Sequence, residues 1–115
     1  MEVRAVAKNV RISPAKARLM ADMVRGKKVQ EALNMLLFTP TPTATAVAKV
    51  IKSAAANAEN GFQLSPETLT VSSIFVDQGL TIKRYRSAAR GRVSPILKRS
   101  SHITVVVAEQ ENHGT

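Results

Sequence analysis

The chain has 115 residues, 44% of them hydrophobic, with 17 Lys and Arg against 8 Asp and Glu and a formal net charge of +9 at neutral pH. That length suits one domain, 1–115, whose single core buries roughly two-thirds of the surface the unfolded chain exposes, and the absence of Cys excludes a disulfide framework and a thiolate metal site. No apolar run reaches the length of a membrane span or a signal-peptide core, so the reading is a cytoplasmic protein, with no membrane partner, whose excess charge calls for a polyanion.

Three Phe, one Tyr and no Trp leave the interior to Val, Ile, Leu, Met and Ala. Residues Val3 to Val10 alternate loosely, with Val3, Ala5 and Ala7 on one side, as a half-buried strand does. In RISPAKARLMADMVRGKK, Ser13 is placed to cap a helix and Pro14 fits its first position. Leu19, Met20, Met23 and Val24 then recur at helical spacing before Gly26. Val29, Ala32, Leu33, Leu36 and Leu37 predict a second, short helix that stops near Thr39, because Pro40 restricts its predecessor. Thr41 and Pro42 repeat the cap-then-proline start. Val47, Ile51, Ala54, Ala55 and Ala58 mark a third, alanine-rich helix ending around Asn60 and Gly61, with Met in these helices read as core filling.

The rest is β in character. In LTVSSIFVD, Leu69 and Val71 share one parity while Ile74 and Val76 share the other, which predicts a bulge near Ser72 and Ser73. HITVVVA, His102 to Ala108, alternates cleanly, and EQENHGT after it is a polar tail expected to fray. His113 in that tail has no assigned role.

Between these strands stands KRYRSAARGRVSPILKR, Lys83 to Arg99, with seven basic residues in seventeen positions and no acid. If both strands continue through it, residues 78–101 form an extended basic hairpin arm that reaches roughly 40 Å from Asp77 to a tip near Arg90. Its scattered Leu80, Ile82, Val93, Ile96 and Leu97 are too few for a second core, so an outside partner must hold it. Arg outnumbers Lys there, and a guanidinium grips phosphate with two hydrogen bonds and stacks on bases, which suits folded RNA. Tyr85 either stacks on a base or packs on the arm's own apolar residues. Gly91 is either a plain turn glycine or a point of close approach to RNA.

Taken together, NVRISPAKARLMADMVRGKKVQEALNML, KVIKSAAANAEN and RGRVSPILKRSSHITVVV resemble the bacterial ribosomal large-subunit protein 22 family over nearly the whole chain. The resemblance implies an α+β fold of three helices packed on a small three-stranded antiparallel sheet with a long protruding β-hairpin. It also implies a structural constituent of the large subunit that binds its ribosomal RNA, supports assembly, touches neighbouring ribosomal proteins, and lines the nascent-peptide exit tunnel. By position, Lys83, Arg84, Arg86, Arg90, Arg92, Lys98 and Arg99 are then RNA contacts, and Ala89, Arg90, Gly91 and Arg92 a tunnel-lining tip beside the nascent polypeptide. Many members carry Pro-Arg where this chain has Ser87 and Ala88, so the tip has one cation fewer and a softer backbone. A second basic cluster, Arg11, Lys16, Arg18, Arg25, Lys27 and Lys28, is either a solvated helix face or, as the resemblance favours, further RNA contact; Arg18 and Arg25 share a face with Asp22 able to pair with either. His102 either satisfies its own backbone neighbourhood or touches phosphate.

Rival classes fare worse. The chain has no phosphate-binding glycine loop, no pair of histidines with metal spacing and no nucleophile, base and orienter set, so neither catalysis nor a cofactor is expected. DNA-bending proteins also use basic β-arms, but as symmetric pairs with apolar wedges, and no dimer seam is evident. A membrane-surface peptide needs an apolar helical stripe that the basic segment lacks.

Overall fold

The computed structural model describes residues 2–79, 82–87 and 93–109, with the backbone alone considered at 66, 82–87 and 93–98. In chain order it has β1 (Glu2–Val10), α1 (Pro14–Val24), α2 (Val29–Leu37), α3 (Pro42–Phe62), a 3-10 turn (Pro66–Thr68), β2 (Leu69–Gln78), β3 (Ile82–Ser87), β4 (Val93–Lys98) and β5 (Ser101–Glu109). β5 is the middle of a three-stranded antiparallel sheet ordered β1-β5-β2, and β3 pairs with β4 in a separate two-stranded antiparallel sheet. The fold is α+β, three helices on a small antiparallel sheet, as the sequence led us to expect.

One face of the sheet carries the core. Alternation puts Val3 and Ala5 of β1, Ile103, Val105 and Val107 of β5, and Leu69, Val71, Ile74 and Val76 of β2 beneath the helices, all buried. The expected bulge in β2 is present: Val71 pairs with Val107 and Ser73 with Val106, so Ser72 is the extra residue that returns Ile74 and Val76 to the core face. A second irregularity lies in β1, where Lys8 and Asn9 stand between the pairs Ala7–Ile103 and Val10–Ser101, and Asn9 adopts a left-handed φ of 53°.

Helix α3 crosses β1 and β5 on Ala44, Val47, Ile51, Ala54 and Ala58, each fully buried. Its start follows the cap-then-proline pattern, with the amide of Ala44 donating to Oγ1 of Thr41 at 3.1 Å. Its end lies beyond the expected Asn60–Gly61. Gly61 stays helical and Gln63 takes the left-handed cap at φ 55°. The amide of Leu64 then donates to the carbonyl of Ala58 at 3.2 Å while Leu64 packs on the core, the apolar contact that usually accompanies such a reversal.

Helix α1 departs from its expected apolar stripe. Ala17, Ala21 and Val24 are its buried residues, whereas Leu19 is 64% exposed and Met23 only partly covered. The Ser13 hydroxyl makes no cap bond; the Ser13 carbonyl instead accepts from the amide of Ala17 at 3.0 Å. In α2, Val29, Ala32 and Leu36 are buried as expected, but Leu37 is 75% exposed. No Met and no Phe joins the fully buried set among the described residues, so the core is built from Val, Ala, Ile and Leu, and the reading of Met as core filling holds only for partial contact by Met20.

Candidate nucleic-acid interface

The arm begins where the sheet ends. The last pair of β2 and β5 is Gln78 with Ser101, and the first pair of the arm is Ile82 with Lys98. Three residues, 79–81, therefore answer to two, 99–100, across the root. There the amide of Gly79 donates to the carbonyl of Ser100 at 2.9 Å, and the hydroxyl of the fully buried Ser101 donates to the carbonyl of Ile12 at 2.6 Å. The amide of Asn9 donates to Nδ1 of His102 at 3.0 Å. Gly79 has no room for a side chain: a Cβ there would lie 2.7 Å from Oγ of Ser100 and 3.2 Å from both Oδ1 of Asn9 and Cε1 of His102. The root is thus a packed knot of main-chain and small polar groups.

Beyond it, β3 and β4 run in register from Ile82–Lys98 to Ser87–Val93. Lys83 pairs with Leu97, Arg84 with Ile96, Tyr85 with Pro95 and Arg86 with Ser94. Among the described residues the two strands pack on each other, and no helix makes a comparable packing on them. The molecule measures 70 × 26 × 18 Å, with a radius of gyration of 17.4 Å against about 13 Å for a compact chain of this length. The candidate tip, Ala89 to Arg92, and His113 lie outside the described residues, as does the expected fraying past Glu109, which itself pairs with Leu69.

The second basic cluster divides by what its side chains do. All six members, Arg11, Lys16, Arg18, Arg25, Lys27 and Lys28, are exposed, as is Arg99 at the arm's root, while His102 is half-buried. Nε and Nη2 of Arg18 donate to the carbonyl of Val76 at 3.3 and 3.2 Å. Nη2 of Arg25 donates to the carbonyl of Ile74 at 2.9 Å, while its Nη1 meets Oδ1 of Asp22 at 2.6 Å. Farther along the same strand the amide of Gly26, at φ 82°, donates to the carbonyl of Val71, and the amide of Val71 returns a bond to the carbonyl of Lys27. The outer edge of β2 is therefore occupied along its length by α1 and the turn after it, which blocks the strand addition an open edge invites.

These arginine bonds explain the roll of α1. Fixing Arg18 and Arg25 over the strand edge turns Ala17, Ala21 and Val24 inward and leaves Leu19 outside. Sequence reading placed Arg18 and Arg25 on one face but missed their carbonyl partners, 58 and 49 residues away. A guanidinium carries five N–H donors, so an arginine placed this way keeps donors for a second partner. Sequence reading also passed over Arg4 and Lys8 of β1 and Lys49 and Lys52 of α3, all exposed. Among the described residues no group of His, Asp and Glu is placed to hold a metal ion, and no helix is long and apolar enough to cross a membrane.

A small α+β body carrying a long cationic two-stranded extension has the build of a structural ribosomal protein. The family model described as ribosomal protein L22p/L17e matches residues 5–108. Large ribosomal subunit protein uL22 of Dehalococcoides mccartyi strain 195 is 62% identical over 109 residues, covering 95% of this chain and all of the relative. The uL22 proteins of Syntrophobacter fumaroxidans, 56% identical over 110 residues, and Herpetosiphon aurantiacus, 54% over 111, cover 96% of this chain and 100% and 98% of their own lengths. The chain belongs to the ribosomal protein L22p/L17e family, and is a structural, non-enzymatic constituent of the large ribosomal subunit.

Proposed function

We propose that this protein binds large-subunit ribosomal RNA through its arm, holds that RNA during assembly of the subunit, and lines the nascent-peptide exit tunnel with the arm's tip. The site of this work is the cytoplasmic ribosome. The observation that carries the reading is the pairing of β3 with β4 away from the helices, in a segment whose seven cations face no acid in sequence. A two-stranded ribbon without a core of its own gains its stability from what it touches, and like charges along it require an anion. Lys83, Arg84, Arg86, Lys98 and Arg99 meet phosphate, and Tyr85 stacks on a base. Ala89, Arg90, Gly91 and Arg92 form the tip beside the nascent polypeptide.

At the body, Arg11, Lys16, Lys27 and Lys28 add phosphate contacts, and Arg18 and Arg25 contribute the donors that the edge of β2 does not occupy. His102 contributes through its ring. With Nδ1 accepting from Asn9, a neutral imidazole carries its proton on Nε2 and offers that N–H to a phosphate or a ribose hydroxyl. Residues 1–115 act as one domain, of which 78–101 is the RNA-holding arm.

Replacing Lys83 to Arg99 by a short turn tests the reading. The expected product is a folded body, seen as a cooperative melt, that enters large subunits poorly or leaves the tunnel altered. Photo-crosslinkers at Arg90 or Arg92 in intact particles are expected to capture ribosomal RNA and a stalled nascent chain. A truncated chain that no longer folds, or tip crosslinks only to the protein's own body, would overturn it.

A further inference from the structure

A groove of about 650 Å³ runs between the end of α2 and the start of α3. Leu33, Leu37, Pro40 and Ala48 line it, with Lys49 and Lys52 on its rim and no Asp or Glu among its lining residues. Leu37 is 75% exposed, while its neighbour Leu36 is in the core. The corner that forms the groove is stiff. The hydroxyl of Thr39 donates to the carbonyl of Met35 at 2.9 Å, its amide to the carbonyl of Leu36 at 3.2 Å, and Pro40 and Pro42 fix φ on either side of the capping Thr41. A preformed apolar groove loses little freedom when filled.

We infer that this groove docks a segment of a neighbouring protein in the large subunit, one that places an apolar side chain against Leu33 and Leu37 and carboxylates against Lys49 and Lys52. Charge complementarity selects the occupant. The two lysines lie three apart on α3 and so face the same way, presenting positive charge beside an apolar floor. RNA would satisfy the lysines but leave the aliphatic floor against phosphate and sugar, and the groove has no aromatic ring among its lining residues for a base to stack on. An acidic amphipathic segment satisfies both halves. The inference uses nothing from the basic arm, so it stands or falls separately from the proposed binding of ribosomal RNA.

The test is a photo-crosslinking amino acid at Leu37 in purified, intact large subunits, with the captured partner sequenced. The expected product is protease-sensitive and maps to one segment containing both apolar and acidic residues. Charge reversal by K49E/K52E is expected to lower its yield about tenfold at low salt, while K49R/K52R preserves it. Both lysines are exposed, so these variants leave the core untouched, and normal incorporation into subunits confirms folding. A nuclease-sensitive product, a segment without acids, no product at all, or a yield indifferent to charge reversal would each overturn the inference.

Discussion

The main-chain amide of Asn9 is bound to Nδ1 of His102 across the irregularity of β1, so the side chain of a strand residue completes a backbone ladder that would otherwise have a gap. That contact joins the first strand to the last beside the arm's root. Replacing His102 with Ala leaves the amide without this acceptor, and the cost of one such bond is about 1 kcal/mol. A lower urea midpoint with an unchanged slope is the expected result, and an unchanged midpoint would show the bond to be idle.

Gly79 sits where the root is tightest. Gly79→Ala must displace the buried Ser100 hydroxyl, which lies 2.7 Å from the new carbon, and overpacking of this kind costs about 1–3 kcal/mol. Combining it with Ser100→Ala should recover part of the loss, giving a double-mutant cycle in which the pair costs less than the sum of the two single changes.

The arginines of α1 offer a comparison within one turn. Asp22→Asn removes an ion pair between two exposed side chains and should change stability by no more than about 0.5 kcal/mol. Arg25→Ala also strips the cover from the Ile74 carbonyl, and should cost about 1 kcal/mol. Removing Arg18 as well opens more of the β2 edge, so R18A/R25A is expected to self-associate with rising concentration in analytical ultracentrifugation.

The alanines of α3 set how closely the helix lies on the sheet. Ala54 is fully buried, and Ala54→Leu forces extra volume between α3 and the strands below. Thermal or urea denaturation should show a loss of about 1–3 kcal/mol, and a neutral outcome would mean that the interface has slack.

The arm's cations are countable through salt. If Arg84 and Arg86 each neutralise one phosphate, R84Q/R86Q should reduce the slope of log affinity against log salt by about 1.4–1.8 for a ribosomal RNA fragment. An unchanged slope would remove both from the interface.

Features set by neighbours in sequence were legible before the fold was known. Thr41 with Pro42 announces a helix start because cap and fixed φ act within one turn. The parity slip between Val71 and Ile74 exposes a bulge because strand periodicity is two. The buried side of α1 was not legible. Leu19 and Met23 outrank Ala17 and Ala21 in apolar size, and only distant carbonyls gripped by Arg18 and Arg25 decide which side turns inward. The same holds for Gln63, where packing of Leu64 moves the helix end past an available glycine. At the candidate site, the sign and density of charge along 83–99 could be read directly. The Asn9–His102 bond and the groove beside Leu37 depend on elements brought together by folding.

The unequal count at the root, three residues against two, has a consequence for insertions and deletions. It lets the body keep one pairing frame and the ribbon another, offset by a single position. Losing one residue from 79–81 would leave two residues against two and bring both ladders into a single frame. The body, clamped by Ile74, Val76 and Ile103, would hold, and Arg84 and Arg86 would keep their cross-strand neighbours, but the bend and added twist that an extra residue gives one strand would go, and the ribbon would leave the body in another direction. Spacer length at the root thus sets the ribbon's aim, and a change of one residue there should do more harm than most substitutions of its chemistry.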